Sequence, residues 1–127
     1  MSDRTPMRVT CHCGANEVRV FLAAGLEDAR RCDCSFCRRR GAMNVSVRET
    51  DLQVIKGDAL TLYQFGPRGA EHYFCKVCGC YTHHRRSSDN TDFGVNVGCL
   101  EGVNPADIDP VPWLDGVSYN PGVKEKT

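Results

Sequence analysis

Hydrophobic and polar residues alternate along short stretches of this chain. Glu17–Leu22 sets Val18, Val20 and Leu22 on one side and Glu17 and Arg19 on the other, the period of a half-buried strand. Asn44–Arg48 alternates in the same way. Leu60–Phe65 and Phe93–Val97 are rich in aromatic and β-branched residues and predict further strands, with a fainter pattern over Leu52–Ile55 and Glu71–Phe74. Turn signals separate them at Lys56–Asp58, Phe65–Gly69 and Ser87–Asn90. Only Ser35–Arg40 reads as a helix, with Ser35 as its N-cap. From Gly102 onward four prolines predict loop, with one helical turn near Pro105–Asp107 and Trp113 as an apolar anchor for a wrapped tail. Many short strands between Gly-rich turns predict a β-dominated domain.

Length and charge narrow the picture. The 127 residues suit one domain spanning 1–127, with a core over about 7–101 and a tail over 102–127. Sixteen Lys and Arg balance sixteen Asp and Glu, which weighs against a nucleic-acid binder that relies on a basic surface. The first residues, Met1–Arg8, lack the apolar run of a secretory signal, and no segment approaches the ~18 apolar residues of a membrane span. The expected location is therefore the cytoplasm, with no membrane partner.

Nine cysteines change the question from fold to chemistry. Stable disulfides are rare in a reducing compartment, so clustered cysteines there point to metal or redox chemistry. The clusters are Cys11-His-Cys13-Gly14, Cys32-Asp-Cys34-Ser-Phe-Cys37 and Cys75-Lys-Val-Cys78-Gly79. In extended backbone, residues i and i+2 face one way, so Cys-x-Cys aims two sulfurs at one point. Cys-x-x-Cys does the same through a tight turn, and Gly79 supplies the return. Clusters one and three together make a closed four-thiolate zinc site. Cluster two alone offers three ligands and leaves one position open, which is the distinction between structural and catalytic zinc. The alternative is a fourth protein ligand at cluster two from Asp33, His72, His83, His84, Cys80 or Cys99. On the closed-site reading the metal-free chain is expected to be unfolded or molten.

The ordered clusters, with Val95-Asn-Val-Gly-Cys-Leu-Glu101 beyond them, resemble the glutathione-dependent formaldehyde-activating (Gfa) family, also called the centromere protein V family. The resemblance runs from about Cys11 to Leu100. It implies a mostly-β zinc-binding domain of the β-tent (Mss4-like) type, built of short antiparallel sheets with little helix. It implies two Zn2+ per chain, one structural at Cys11, Cys13, Cys75 and Cys78 and one catalytic at Cys32, Cys34 and Cys37. It also implies a carbon–sulfur lyase activity resembling S-(hydroxymethyl)glutathione synthase, with a small thiol such as glutathione and an aldehyde as partners. The competing reading is a non-catalytic zinc module for protein or nucleic-acid contact. Two departures from the family pattern bear on substrate: Asp33 stands where many relatives carry His, and Asp109–Trp113 lacks a His-containing pattern.

Arg30, Arg31 and Arg38–Arg40 flank cluster two and could capture a carboxylate-bearing thiol or simply form a solvated face. His72, His83 and His84 read as satisfied or strand-surface histidines, and His12 as a surface one. Asn96 and Trp113 are candidate pocket residues without specific support. Cys80 reads as a buried free thiol and Cys99 as core.

Overall fold

The computed structural model describes residues 5–65, 69–87 and 90–116. The predicted turns at Phe65–Gly69 and Ser87–Asn90 lie partly outside these, as does the tail beyond Gly116.

The strands are β1 (Met7–Thr10), β2 (Glu17–Leu22), β3 (Arg31–Cys32), β4 (Asn44–Lys56), β5 (Leu60–Tyr63), β6 (Glu71–Cys75), β7 (Tyr81–Arg85), β8 (Phe93–Asn96) and β9 (Trp113–Leu114). One α-helix, α1 (Ser35–Arg40), and two 3-10 turns, Val97–Cys99 and Pro105–Asp107, complete the described residues. The fold is mostly β with almost no helix, as expected. The sheet runs β1-β2-β4-β8-β7-β6-β5 with antiparallel neighbours. Most of it is one seven-stranded sheet rather than several small ones.

β4 explains why. Two separate short strands were expected within it, yet its 13 residues form one continuous strand. On one edge Asn44–Val47 pair with β8, and on the other edge Val47 and residues from Leu52 to Lys56 pair with β2. The polar residues Glu49–Asp51 fall within the register shift between Val20 and Leu22 of β2, so the break in hydrophobicity marks an irregularity inside one strand and not an end. Val18 and Val20 of β2, Val45 and Val47 of β4, and Val95 of β8 are fully buried and form the core with Val9, Met43, Val97 and Leu100. A smaller cluster of Cys11, Ala59 and Cys75 lies apart from it.

The tail departs from expectation in how it is held. The helical turn at Pro105–Asp107 is present, but Trp113 is 57% exposed and anchors nothing by burial. β9 instead pairs in parallel with β3 through backbone hydrogen bonds from Arg31 N–H to Pro112 O and from Asp33 N–H to Leu114 O. Arg31 reinforces the clasp with an ion pair to Asp109 at 3.1 Å.

Candidate metal centres

Cys11 and Cys13 sit in the β1–β2 turn, and Cys75 and Cys78 sit at the β6–β7 turn. Each turn is a knuckle whose N–H groups point at sulfur. Asn16 N–H donates to Cys11 Sγ at 3.3 Å, and the N–H groups of Val77 and Cys78 donate to Cys75 Sγ at 3.3 and 3.4 Å. Gly14 and Gly79 close the two turns at φ 80° and 79°, a left-handed conformation that a side chain would strain. Ala59 stitches the turns together, its N–H donating to Asn16 Oδ1 at 3.2 Å while its carbonyl accepts from Lys76 N–H at 2.8 Å.

All four sulfurs lie within 4.8 Å of one another. A regular tetrahedron of Zn–S bonds near 2.3 Å has edges of about 3.8 Å. Cys11 and Cys13 are 3.8 Å apart and Cys13 and Cys75 are 3.7 Å apart, so the donor set fits zinc.

Cys32, Cys34 and Cys37 form the second group, again within 4.8 Å of one another. Cys32 ends β3, and Cys37 lies in the first turns of α1. The helix N-cap is Cys34, not the expected Ser35: its Sγ accepts from Cys37 N–H at 3.3 Å. A thiolate can fill the role that hydroxyls and carboxylates usually fill, because the orphan N–H groups need only an acceptor. Hydrogen bonding from the Cys32 and Cys37 side chains, then from backbone N–H groups, holds Cys34 well below the usual thiol range. Among the described residues, no fourth Cys, His, Asp or Glu atom joins this group. Asp33 is engaged elsewhere, its Oδ1 accepting from Gly116 N–H at 2.8 Å.

The histidines and Cys80 and Cys99 also have other partners. His72 Nδ1 meets Arg40 Nη1 at 3.2 Å, His83 Nδ1 meets Thr82 Oγ1 at 2.9 Å, and His84 Nδ1 meets Tyr81 Oη at 2.7 Å. His83 is 2% exposed and His84 is half-buried, each with a side-chain partner. Burial first, and then Arg40, pulls His72 down to about 4, which keeps it neutral at ordinary pH. His12 is exposed, as expected.

A cavity of about 290 Å³, lined by Phe36, Arg40, Tyr63, His72, Tyr73 and Tyr81 among others, approaches the three-cysteine group through Phe36 and Arg40, and none of the three cysteines lines it. The sequence pattern did not reveal this aromatic lining, because it is drawn from α1, β5, β6 and β7 together. Phe36 precedes Cys37 directly and packs on His72 with ring centres 4.5 Å apart. Arg40 is the fixed charge of the cavity. Its guanidinium lies 3.6 Å over Tyr81 and 4.5 Å over Phe36, and its Nη2 is 3.9 Å from Cys37 Sγ. Of the five arginines singled out, Arg31 holds the tail, Arg38 and Arg39 face solvent, and Arg30 donates to the carbonyls of Asp28 and Asn44. Asn96 is structural, bonding the Tyr81 carbonyl at 2.8 Å.

Residues 6–112 match the family model described as glutathione-dependent formaldehyde-activating enzyme. The structure also resembles a crystal structure of a Rhodobacter sphaeroides protein, with a TM-score of 0.81 and 59% sequence identity, covering 85% of this chain and 100% of that one.

Proposed function

The chain belongs to the glutathione-dependent formaldehyde-activating enzyme family, and on that premise we propose that it is a zinc-dependent enzyme of carbon–sulfur lyase type. It joins a small thiol such as glutathione to an aldehyde, or cleaves the adduct. The reading rests on one observation: three thiols converge near a cavity, with no fourth protein ligand in the group among the described residues.

The two cysteine sets take different roles. Cys11, Cys13, Cys75 and Cys78 would form the closed structural site, and Cys32, Cys34 and Cys37 the open one, giving two Zn2+ per chain. A zinc ion held by Cys32, Cys34 and Cys37 would supply the Lewis acidity that favours deprotonation of a substrate thiol at neutral pH. Cys37 N–H fixes the Cys34 sulfur, and Arg40 sets a positive charge against the Cys37 sulfur. Phe36, Tyr63 and Tyr81 give the nearby cavity a largely aromatic wall. In the forward direction a carbon–sulfur bond forms as the carbonyl π bond opens. The oxygen takes the electron pair and then the proton that the thiol gave up. Residues 7–101 would act as one unit, with the segment ending at Gly116 set against the three-cysteine group. No helix of the described residues is long and apolar enough to cross a membrane. The free thiols suit the reducing cytoplasm.

Cobalt substitution tests this reading. Glutathione added to the cobalt-loaded protein should alter its visible ligand-field bands, because a new sulfur enters the open site. An unchanged spectrum, with the second metal saturated by protein ligands, would favour the non-catalytic zinc module and overturn the enzyme.

A further inference from the structure

Two of the nine cysteines, Cys80 and Cys99, belong to neither ligand group, yet they are not separate from each other. We propose that they form an oxidisable dithiol at which a hydroperoxide converts two free thiols into an intramolecular disulfide, tying the start of β7 to the 3-10 turn Val97–Cys99.

The geometry is already close to the product. The two sulfurs are 3.5 Å apart, and a disulfide bond near 2.05 Å requires them to close by about 1.5 Å. Both are aimed by one acceptor: Cys99 Sγ lies 3.3 Å and Cys80 Sγ 3.8 Å from the Tyr81 carbonyl. Asn96 Nδ2 donates to the same carbonyl at 2.8 Å. That oxygen therefore keeps a donor when the thiol hydrogens leave, and oxidation strands no buried acceptor.

Exposure divides the roles. Cys80 is half-buried and Cys99 is 6% exposed. A small peroxide reaches Cys80 first. The Cys80 sulfur attacks the peroxide oxygen, the O–O bond breaks, and a sulfenic acid forms with release of water. The Cys99 sulfur then displaces the sulfenyl oxygen, which leaves as a second water carrying the remaining proton. In sum, two thiols and one hydrogen peroxide give one disulfide and two waters. Cys80 packs against both core clusters, including Cys11 and Cys75. The dithiol thus lies directly behind the four-cysteine set, and Tyr81, which carries Arg40 on its ring, is the next residue.

Peptide mapping of the full-length, zinc-loaded protein after brief exposure to dilute hydrogen peroxide tests the site. The expected product has lost the mass of two hydrogens, with the link mapped to Cys80 and Cys99, before zinc is released to a chromogenic chelator. In Cys99→Ser, the sulfenic acid should persist on Cys80 and be trapped by dimedone. The wild-type mapping stands even if that variant folds poorly. An unchanged mass, or disulfides only among Cys11, Cys13, Cys75 and Cys78 with parallel zinc release, overturns the proposal. Neither outcome depends on turnover, so it can fail while the enzymatic reading holds.

Discussion

Arg40 shows how one side chain serves several neighbours at once. Its planar guanidinium stacks on Tyr81 and Phe36, meets His72 and faces the Cys37 sulfur. Lysine can keep the charge but not the flat, forked stack. Arg40→Lys should therefore lower folding stability by about 1–2 kcal/mol in urea melts, the scale of a desolvated cation–π contact. It should also reduce thiol–aldehyde turnover at saturating zinc. Unchanged melts and rates would mean that charge alone matters there. Residue identity could mislead in the other direction too. Ser35 looked like the N-cap because hydroxyls usually fill that place, but the Cys34 sulfur lies nearer the free N–H groups.

Among the elements, the shortest has the largest bearing on the site. β3 and β9 contribute two residues each, and Gly116 lies two residues beyond β9. A Cβ at Gly116 would lie 2.5 Å from Cys32 Sγ and 2.9 Å from Cys34 N, too close for either to yield. Gly116→Ala should displace the tail and weaken zinc at the three-cysteine group by about 10–100-fold, the usual cost of disturbing groups around ligands. Competitive chelator titration and far-UV circular dichroism together would check this, with one zinc retained and the fold intact. Full retention of both metals would mean that the tail is not coupled to the site. None of this was legible in the sequence, because a two-residue parallel pairing held by backbone groups leaves no pattern in side chains. β7 was missed for a different reason. Tyr81–Arg85 carries two histidines that read as polar, yet its first three residues are buried and the histidines find partners inside. By contrast, the Val18 and Val20 alternation and the cysteine spacings are local, and they led directly to β2 and to both cysteine groups.

On the proposed reading the whole molecule would depend on a join made far along the chain. Structural zinc is worth ~10–16 kcal/mol in small domains, against a typical net stability of ~5–15 kcal/mol. Cys75→Ser should therefore leave a molten or unfolded chain, seen as lost near-UV circular dichroism and broadened NMR spectra. Cys37→Ser should leave a folded protein with one zinc, by metal analysis. Equal loss of fold in both variants would contradict the division into structural and catalytic sites. Ligand counting could anticipate which cysteines belong together. It could not anticipate that strands near opposite sides of the sheet order carry them, since that follows from long-range pairing that sets β4 between β2 and β8.

The 62-residue separation between Cys13 and Cys75 also sets an order of events during folding. Hairpins close in about 1–10 μs, well before distant segments meet. Each of the two cysteine-bearing turns can therefore present a ready pair of thiols while the rest of the chain is still loose. A metal ion held by the thiols of one turn would still need two further ligands, which the matching pair could supply. At low concentration that pair belongs to the same chain, and the sheet assembles around it. In a crowded, zinc-poor mixture it can come from a neighbour, and the same chemistry that holds one molecule together would instead tie two half-folded ones.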